Sequence, residues 1–376
     1  GQTGPLGRLL RSRSLRPIIE LMERICPIDE QFTDEISSLL KNPSSQEVEE
    51  YFDRQVKSRQ SCGIDVRQDG KFGKGVHADG DFQVGELLLK DQILVGAQHF
   101  SNKAQCLVCS FCFRFIGSVE LQIARKLYFR ELGAYSDCAS GRTAIKTGLT
   151  DGDVSISMED HDSGRKCVSS SSSNNVCLPS DVVDSLLNGE LVLPFSKQFS
   201  SPAPVTCPGG CKEAYYCSQS CAELDWKSFH SLLCTGDKSK SVCREALLEF
   251  MQHANETNDI FLVAAKAISF TILKYRRLKA AQPKEREKNA LNIMKDSNYH
   301  LLLEAWKPIS MGYKRRWWDC VALPDDIGCC DPAAFRMQIR DLAFTSLQLL
   351  KAAIFDEECA PYSLLKSMAR SLECLS

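Results

Sequence analysis

The sequence predicts an α+β fold with three successive parts: a β-rich front, a cysteine-rich middle and a helical C-terminal part. Three observations support this division. Short apolar runs punctuated by glycine fill residues 61–105, closely spaced cysteines fill 106–234, and apolar residues at helical spacing fill 235–376. With 376 residues, of which 43% are hydrophobic, the chain is long enough for two or three domains.

The N-terminal 60 residues are predicted to be a leader followed by helices. Residues 1–17 carry four arginines and no acidic residue, a pattern weakly similar to an organelle presequence, with an unstructured leader as the alternative. From 18 to 56, apolar residues recur at three- and four-residue steps, which indicates helices. Asn42-Pro43 interrupts this pattern.

The β-rich front shows alternating and continuous apolar runs separated by turn residues. We expect strands at 64–66, 74–78, 86–90 and 93–95. Asp79-Gly80 and Val84-Gly85 mark turns between them.

A helix is predicted at 119–132, after which the composition changes. Residues 133–204 are rich in Ser, Gly, Asp and Thr and include five consecutive serines at 169–173. Such a segment cannot bury much apolar surface, so we expect a mostly disordered insertion with a short helix at 182–187. Beyond residue 243 the pattern is helical, and Asp331-Pro332 is a typical helix start for the apolar face at 335–355.

The charge balance argues against two classes of protein. The chain has 46 Lys and Arg against 48 Asp and Glu, a formal net charge of −2, which excludes a highly basic nucleic-acid coat and an acidic tail protein. The basic-aromatic stretch at 313–318 is interpreted as core tryptophans with solvated cations, so direct nucleic-acid binding is not expected. The longest apolar run, 261–273, is shorter than the roughly 20 residues that cross a bilayer, so no membrane association is expected.

The 19 cysteines are the most informative feature of the composition. Without a secretory signal, their short spacings indicate metal ligands in a reducing compartment and not a disulfide framework. The second cluster reads Cys207-x3-Cys211-x5-Cys217-x3-Cys221-x8-His230-x3-Cys234. Six ligands exceed one tetrahedral site and fall short of two, and Cys109-x2-Cys112 upstream supplies the missing pair. Seven cysteines and one histidine would form two closed tetrahedral sites, which is the pattern of structural zinc.

These motifs resemble a MYND zinc finger. The resemblance implies a cross-braced finger in which Cys109, Cys112, Cys217 and Cys221 hold one zinc ion and Cys207, Cys211, His230 and Cys234 hold the other. Two features depart from the family: residues 113–206 separate the first pair from the second, and three residues instead of two lie between Cys207 and Cys211. A long insertion is tolerable because the entropy of loop closure grows only logarithmically with length. Cys106 is an alternative ligand, and the pair Cys109 and Cys112 is preferred because the apolar Phe113 follows it, as in the family.

Upstream of the finger, Lys71-Phe72-Gly73-Lys74-Gly75-Val76-His77-Ala78, followed by Gly85-Glu86, resembles the opening of a SET domain. Together with the finger, it resembles the SET-MYND protein lysine methyltransferases, above all the plant trithorax-related SET proteins. The resemblance implies methyl transfer from S-adenosylmethionine to a lysine of a histone or other protein, in the nucleus, with the cytoplasm as a further location. Gly73, Lys74 and Gly75 would then line the methionine end of the cofactor.

One departure from the SET pattern bears on activity. SET domains complete the cofactor site with an Asn-His-Ser-Cys-type segment and a channel tyrosine, whereas this sequence contains no Asn-His dipeptide. We therefore assign no catalytic residue, and two possibilities stay open: a lysine methyltransferase whose C-terminal part is misreported in this sequence, or a truncated form that has lost catalysis. The alternative function is that of a non-catalytic, zinc-stabilised adaptor whose finger binds proline-containing peptides.

Overall fold

The computed structural model describes residues 43–58, 63–69, 73–131, 178–282, 291–312 and 332–356. The predictions for the leader at 1–17, the helical pattern at 18–42, the serine run at 169–173 and the basic-aromatic stretch at 313–318 lie outside these residues. The chain divides into two compact units. The first unit comprises Gly1–Ala97, Thr206–Glu213 and Ala222–Ser376, and the second comprises Gln98–Val205 and Ala214–Cys221.

The described part of the front, from residue 43 to 97, contains one helix and one hairpin. Helix α1 (Ser45–Ser58) begins with a capping box: the Glu47 carboxylate accepts from the Ser44 N–H at 2.8 Å, and the Ser44 hydroxyl accepts from the Glu47 N–H at 3.3 Å. Strand β1 (Ile64–Asp69) pairs antiparallel with β2 (Gly73–Ala78), with Ile64 opposite Ala78. The front is therefore less β-rich than the sequence indicated.

The strands expected at 86–90 and 93–95 are absent. Residues 79–99 have no strand, although the structure describes all of them. Several apolar side chains of this segment are exposed, among them Val84, Leu87 and Ile93. A strand needs a neighbour for its backbone N–H and C=O groups, and within the described residues no strand pairs with this segment. Local sequence indicates a preference for extended structure, but it does not specify the neighbouring strand that a sheet requires.

The helical C-terminal part is confirmed, and it carries the core of the first unit. It contains α7 (Arg244–Glu256), α8 (Ile260–Ala280), α9 (Leu291–Ser310) and α10 (Pro332–Ile354). Fully or almost fully buried side chains from all four helices form one cluster, including Leu247, Phe250, Ile272, Leu302, Leu350 and Ile354. Helix α10 begins at Pro332, as the sequence predicts. No helix in the described ranges is both long enough and apolar enough to cross a membrane.

Among its described residues, the second unit has three helices before residue 200 and a small core of its own. Helices α2 (Phe100–Gln105), α3 (Val119–Glu131) and α4 (Ser180–Leu187) precede a short 3-10 turn (Ser196–Gln198). Ala124 of α3 packs with Val183 and Leu186 of α4. The disorder expected over 133–204 is therefore wrong for residues 178–204, because the apolar face of α4 finds a partner on α3. The short helix expected within this segment is present.

The remaining elements surround the second cysteine cluster. Strands β3 (Val205–Thr206) and β4 (Tyr215–Tyr216) form a second two-stranded sheet. Helix α5 (Gln219–Asp225) continues into a π-helical turn (Trp226–His230) and then α6 (Ser231–Leu233). These short elements place ligands at their ends.

Candidate metal centres

The structure brings the eight residues implied by the finger resemblance together in two groups. Their ligand atoms lie within 4.8 Å of one another in each group. Site 1 consists of Cys109, Cys112, Cys217 and Cys221, and site 2 consists of Cys207, Cys211, His230 and Cys234. Site 1 lies in the second compact unit and site 2 in the first. Cys106, the alternative ligand, belongs to neither group.

The distances between ligand atoms fit tetrahedral zinc. A tetrahedron with Zn–S bonds of about 2.3 Å has sulfur atoms about 3.8 Å apart. In site 1 the Sγ of Cys217 lies 3.6 Å from that of Cys112 and 3.5 Å from that of Cys221. In site 2 the Cys207 and Cys234 sulfurs are 3.8 Å apart, and the Cys211 Sγ is 3.3 Å from the His230 Nε2. With four protein ligands each, both sites are of the closed, structural type and leave no coordination position for a substrate or a catalytic water.

The first pair of site 1 lies on a tight turn. The Cys109 N–H donates to the Arg114 carbonyl at 2.8 Å, and the Phe113 N–H donates to the Cys109 carbonyl at 2.9 Å. Phe113 has a φ of +61°, which is a left-handed conformation that is sterically unfavourable for a bulky residue. The turn is joined to β4 by the Ser110 N–H, which donates to the Tyr215 carbonyl at 2.8 Å. This bond holds the turn near the second ligand pair, which follows β4 directly.

A partly buried amide closes the base of the same turn. The Gln122 side chain of α3 accepts from the Leu107 N–H at 2.7 Å, and its Nε2 donates to the carbonyls of Leu107 at 2.7 Å and Ile116 at 2.6 Å. Leu107 and Ile116 also bond to each other through the backbone. Sequence analysis missed Gln122, because a single glutamine on a helix carries no signal of its partner.

The second pair of site 1 uses the start of α5. The Cys221 N–H donates to the Ser218 hydroxyl at 3.2 Å, which caps the helix immediately after Cys217. Because Cys217 and Cys221 are four residues apart, their side chains lie on one face of the helix start. The spacing that suggested a ligand pair is thus explained by helix geometry.

The first pair of site 2 depends on two glycines. Gly210 has a φ of +83°, which lets the turn between Cys207 and Cys211 close without strain. The Gly209 N–H donates to the Cys207 sulfur at 3.2 Å. A Cβ on Gly209 would lie 2.5 Å from both the Cys234 sulfur and the Trp226 ring. Site 2 is therefore packed too closely at this point for any side chain.

The second pair of site 2 is anchored to the helical core. Phe229, next to His230 in the π-helical turn, packs on Phe270 of α8 with ring centroids 5.9 Å apart. Leu232 and Leu233 belong to the core cluster. Cys234 then leaves the helix in an extended conformation, and its sulfur accepts from the Gly236 N–H at 3.3 Å. Packing on both sides of the pair fixes the two ligands.

The electrostatics of both sites favour a bound cation. In site 1, burial and, to a smaller extent, the neighbouring sulfurs together raise the pKa of Cys221 to about 12. Burial also acts to raise the pKa of Cys217, but the hydrogen bonds that it shares with Cys221 and Cys112 outweigh burial and lower the pKa. In site 2, the hydrogen bond with Cys234 and burial raise the pKa of Cys211 to about 11. Sulfurs this close cannot all carry negative charge unless a cation compensates them, and a divalent ion does so.

His230 is also strongly affected by its neighbours. Burial alone would lower the pKa of its imidazole, but hydrogen bonds with Cys207 and Cys211 and the charge of Asp225 raise it to about 10. The imidazole thus lies in a strongly cation-stabilising environment, which is what a site built for a metal provides.

The three residues expected to line a methyl-donor cofactor lie on β2. Gly73 begins the strand with a φ of +80°, and Gly75 lies opposite Arg67 in the hairpin. The Lys74 ammonium donates to the carbonyls of Met311 and Gly312, just beyond the end of α9, and burial lowers its pKa. Gly312 also lines an apolar cleft of about 210 Å³, together with Leu94, Val95 and side chains of α8 and α9.

Two closed Cys/His sites on a mixed helix–sheet fold define a zinc-finger protein. The MYND finger family matches residues 197–234, which contain six of the eight ligands. Over 338 residues, the chain is 53% identical to the "Histone-lysine N-methyltransferase ATXR2" of Arabidopsis thaliana, a match that covers 90% of this chain and 68% of that protein. The chain belongs to the family of SET-MYND lysine methyltransferases. No solved structure matches the chain.

Proposed function

We propose that the protein acts in the nucleus as a lysine methyltransferase on histones, using S-adenosylmethionine. The observation that carries this proposal is the 53% identity to a histone-lysine methyltransferase over 90% of the chain. An identity at this level extends across the hairpin, the finger and the helical part, so it does not rest on the finger alone.

The eight clustered residues would hold two structural zinc ions. The sulfur–sulfur distances, the closed donor sets and the raised pKa values of Cys211 and Cys221 support this assignment. Because the ligand pairs alternate along the chain between the two sites, the ions would tie together segments that are far apart in sequence. Elemental analysis of the purified chain should then give two zinc ions per molecule.

The hairpin residues Gly73, Lys74 and Gly75 would form one wall of the cofactor site. Gly73 and Gly75 have no side chain, which allows close approach of a ligand to the backbone. The Lys74 side chain is engaged with the carbonyls of Met311 and Gly312, so its backbone and not its ammonium would face the cofactor. No residue is proposed as a general base.

The cofactor, when bound, supplies an electrophilic methyl group on a sulfonium sulfur. The contribution of the protein is to hold the substrate lysine in line with that methyl group and to keep its amine neutral. An apolar lining lowers the pKa of an amine by disfavouring its charged form. Alignment of two reactants then supplies much of the rate.

The first test is calorimetric titration of the zinc-loaded chain with S-adenosylmethionine, followed by a methylation assay on histone octamers. The informative variant is Gly75→Ala, because an added Cβ would meet just the His77 imidazole at 3.2 Å and would leave the fold intact. Gly80→Ala is the matched control, since an added Cβ there meets nothing within 4 Å. We expect saturable binding that Gly75→Ala weakens and Gly80→Ala does not.

The adaptor function is the second candidate, and one observation favours it. Both ligand sets assemble completely within the described residues without any contribution from β1 or β2. A finger of this kind could bind a proline-containing peptide with no cofactor present. If the folded chain with two zinc ions binds such a peptide and shows no binding of S-adenosylmethionine, the adaptor function replaces the enzymatic one.

A further inference from the structure

The two zinc sites differ in their exposure to solvent. In site 1, Cys112 is exposed and Cys217 and Cys221 are partly exposed, while Cys109 is buried. In site 2, all three cysteines are buried, with exposed fractions of 6% for Cys207, 8% for Cys211 and 0% for Cys234. The Trp226 ring and the backbone of Gly209 and Gly236 pack around the sulfurs of site 2. Except at Cys109, the cysteines of site 1 are therefore open to a dissolved reagent, whereas the cysteines of site 2 are shielded from it.

We propose that Cys112 and Cys217 form a peroxide-sensitive pair, whose oxidation to a disulfide opens site 1 and leaves site 2 intact. Their sulfurs are 3.6 Å apart and come from segments 105 residues apart in sequence. Thiolate character and exposure together decide which cysteines are oxidised, and zinc-bound sulfur is held as thiolate. Cys112 is the one exposed residue among the seven ligand cysteines and therefore reacts first.

The chemistry uses a hydroperoxide as the oxidant. The Cys112 thiolate attacks one peroxide oxygen, the O–O bond breaks, and a sulfenic acid and hydroxide form. The Cys217 thiolate then attacks the Cys112 sulfur, the S–S bond forms, the S–O bond breaks, and a second hydroxide leaves. The two sulfurs lose two electrons, the peroxide gains them, and each hydroxide takes a proton to become water. Site 1 retains two of its four ligands, too few to hold the ion.

The local structure allows the two sulfurs to approach each other. A disulfide needs a separation of about 2.05 Å, so one of the two segments must move by roughly 1.5 Å. Cys112 lies on a turn next to Phe113, whose positive φ is held by the bond from its N–H to the Cys109 carbonyl. A turn held in a disfavoured conformation gains by relaxing once its metal ligand is withdrawn.

The test uses the full chain loaded with two zinc ions and treated with hydrogen peroxide in the presence of a metallochromic indicator. We expect release of one zinc equivalent of the two, recovered after addition of dithiothreitol and zinc. Differential alkylation and mass spectrometry should find Cys112 joined to Cys217, with Cys207, Cys211 and Cys234 still protected. Release of both ions together, loss of zinc from site 2 first, or a bond between Cys217 and Cys221 overturns the proposal.

Two variants sharpen the test. Cys112→His keeps four ligands in site 1 but removes the attacking sulfur. In this variant hydrogen peroxide should form no disulfide with Cys217 and should no longer release the first equivalent of zinc. Cys106→Ser is the control, because Cys106 is a partly exposed thiol in the same unit that belongs to neither site, and release should be unchanged. Should Cys112→His fail to hold two zinc ions, the disulfide map of the unmodified chain decides the outcome by itself.

Discussion

At the scale of single residues, Gly236 has no room for a side chain. A Cβ there would overlap the Gly209 carbonyl oxygen and lie 2.5 Å from the Cys211 nitrogen. These contacts are with backbone atoms, so no rotation of a side chain can relieve them. The residue therefore acts on site 2 through the turn that carries Cys207 and Cys211, although it binds no metal itself.

We expect Gly236→Ala to lower the zinc content of the purified chain from two ions toward one. Overpacking of this kind costs about 1–3 kcal/mol, which would also lower the melting temperature. The measurement is elemental analysis together with thermal unfolding. Gly80→Ala is the matched control because its Cβ would meet open space. Two tightly bound zinc ions in Gly236→Ala would show that the turn can shift to accept a methyl group.

Gln122 also binds no metal, but its side chain holds the turn that carries the first ligand pair of site 1. Its amide makes three hydrogen bonds, of 2.6 to 2.7 Å, to the backbone at both ends of the Leu107–Ile116 turn. Methionine has nearly the same shape and can make none of them. Gln122→Met would remove the hydrogen bonds of the Leu107 N–H and of the Leu107 and Ile116 carbonyls to this side chain. Each buried polar group that loses its partner costs about 1–3 kcal/mol of folding free energy.

We expect Gln122→Met to lower the zinc affinity of site 1. A competition titration with a chelator measures this affinity. Gln46→Met is a suitable control, because the Gln46 amide bonds only to Glu50 on the exposed face of α1 among the contacts described. If both variants bind zinc as tightly as the unmodified chain, then Gln122 does not position the turn.

At the scale of elements, the packing of α3 on α4 is supported by one carboxylate. Glu120, in the first turn of α3, accepts hydrogen bonds from the Ser196 hydroxyl, its own N–H and the Leu193 N–H, which together lower its pKa from 4.5 to about 2. Leu193 and Ser196 belong to the segment that follows α4. The ionised carboxylate therefore links α3 to the segment that follows α4. Its position in the first turn of α3 also favours its negative charge.

This shift predicts how stability depends on pH. Because the pKa of Glu120 is lower in the folded chain than in the unfolded chain, its contribution is fully present above about pH 4.5 and is lost as the pH falls toward 2. Glu120→Gln should therefore be less stable than the unmodified chain at pH 7. The difference in free energy of unfolding, measured in urea, should stay constant down to about pH 4.5 and shrink below it. A difference that grows on acidification would exclude this role.

The same elements show how far sequence reasoning reaches. Ligand spacing is a local property, so the sequence predicted the residues that now cluster in sites 1 and 2. Helix starts are also local, and α10 begins at the expected proline. The strands expected at 86–90 and 93–95 failed because a strand depends on a partner that local sequence does not specify. The bonds of Gln122 and Glu120 were invisible for the same reason, since their partners are fixed by packing.

At the scale of the whole molecule, the two zinc sites belong to two different compact units. The helical core of the first unit is built from apolar side chains of α7, α8, α9 and α10, none of which is a zinc ligand. Leu232 and Leu233 pack in this core, but we expect the other turns that carry ligands to depend on the metal for their shape. The free energy of metal binding therefore stabilises the folded form of these turns and contributes much less to the stability of the helices.

Removal of zinc by a chelator at neutral pH should therefore unfold the finger and spare most of the helices. We expect the far-UV circular dichroism signal to fall only in part, because α8 and α10 alone contribute 21 and 23 helical residues. Trypsin should then cut at Arg114, Lys212 and Lys227, which lie beside the ligands in both sites. The zinc-loaded chain under the same conditions provides the reference. Loss of the entire helical signal in one step would mean that the helical core depends on the ions, contrary to its apolar composition.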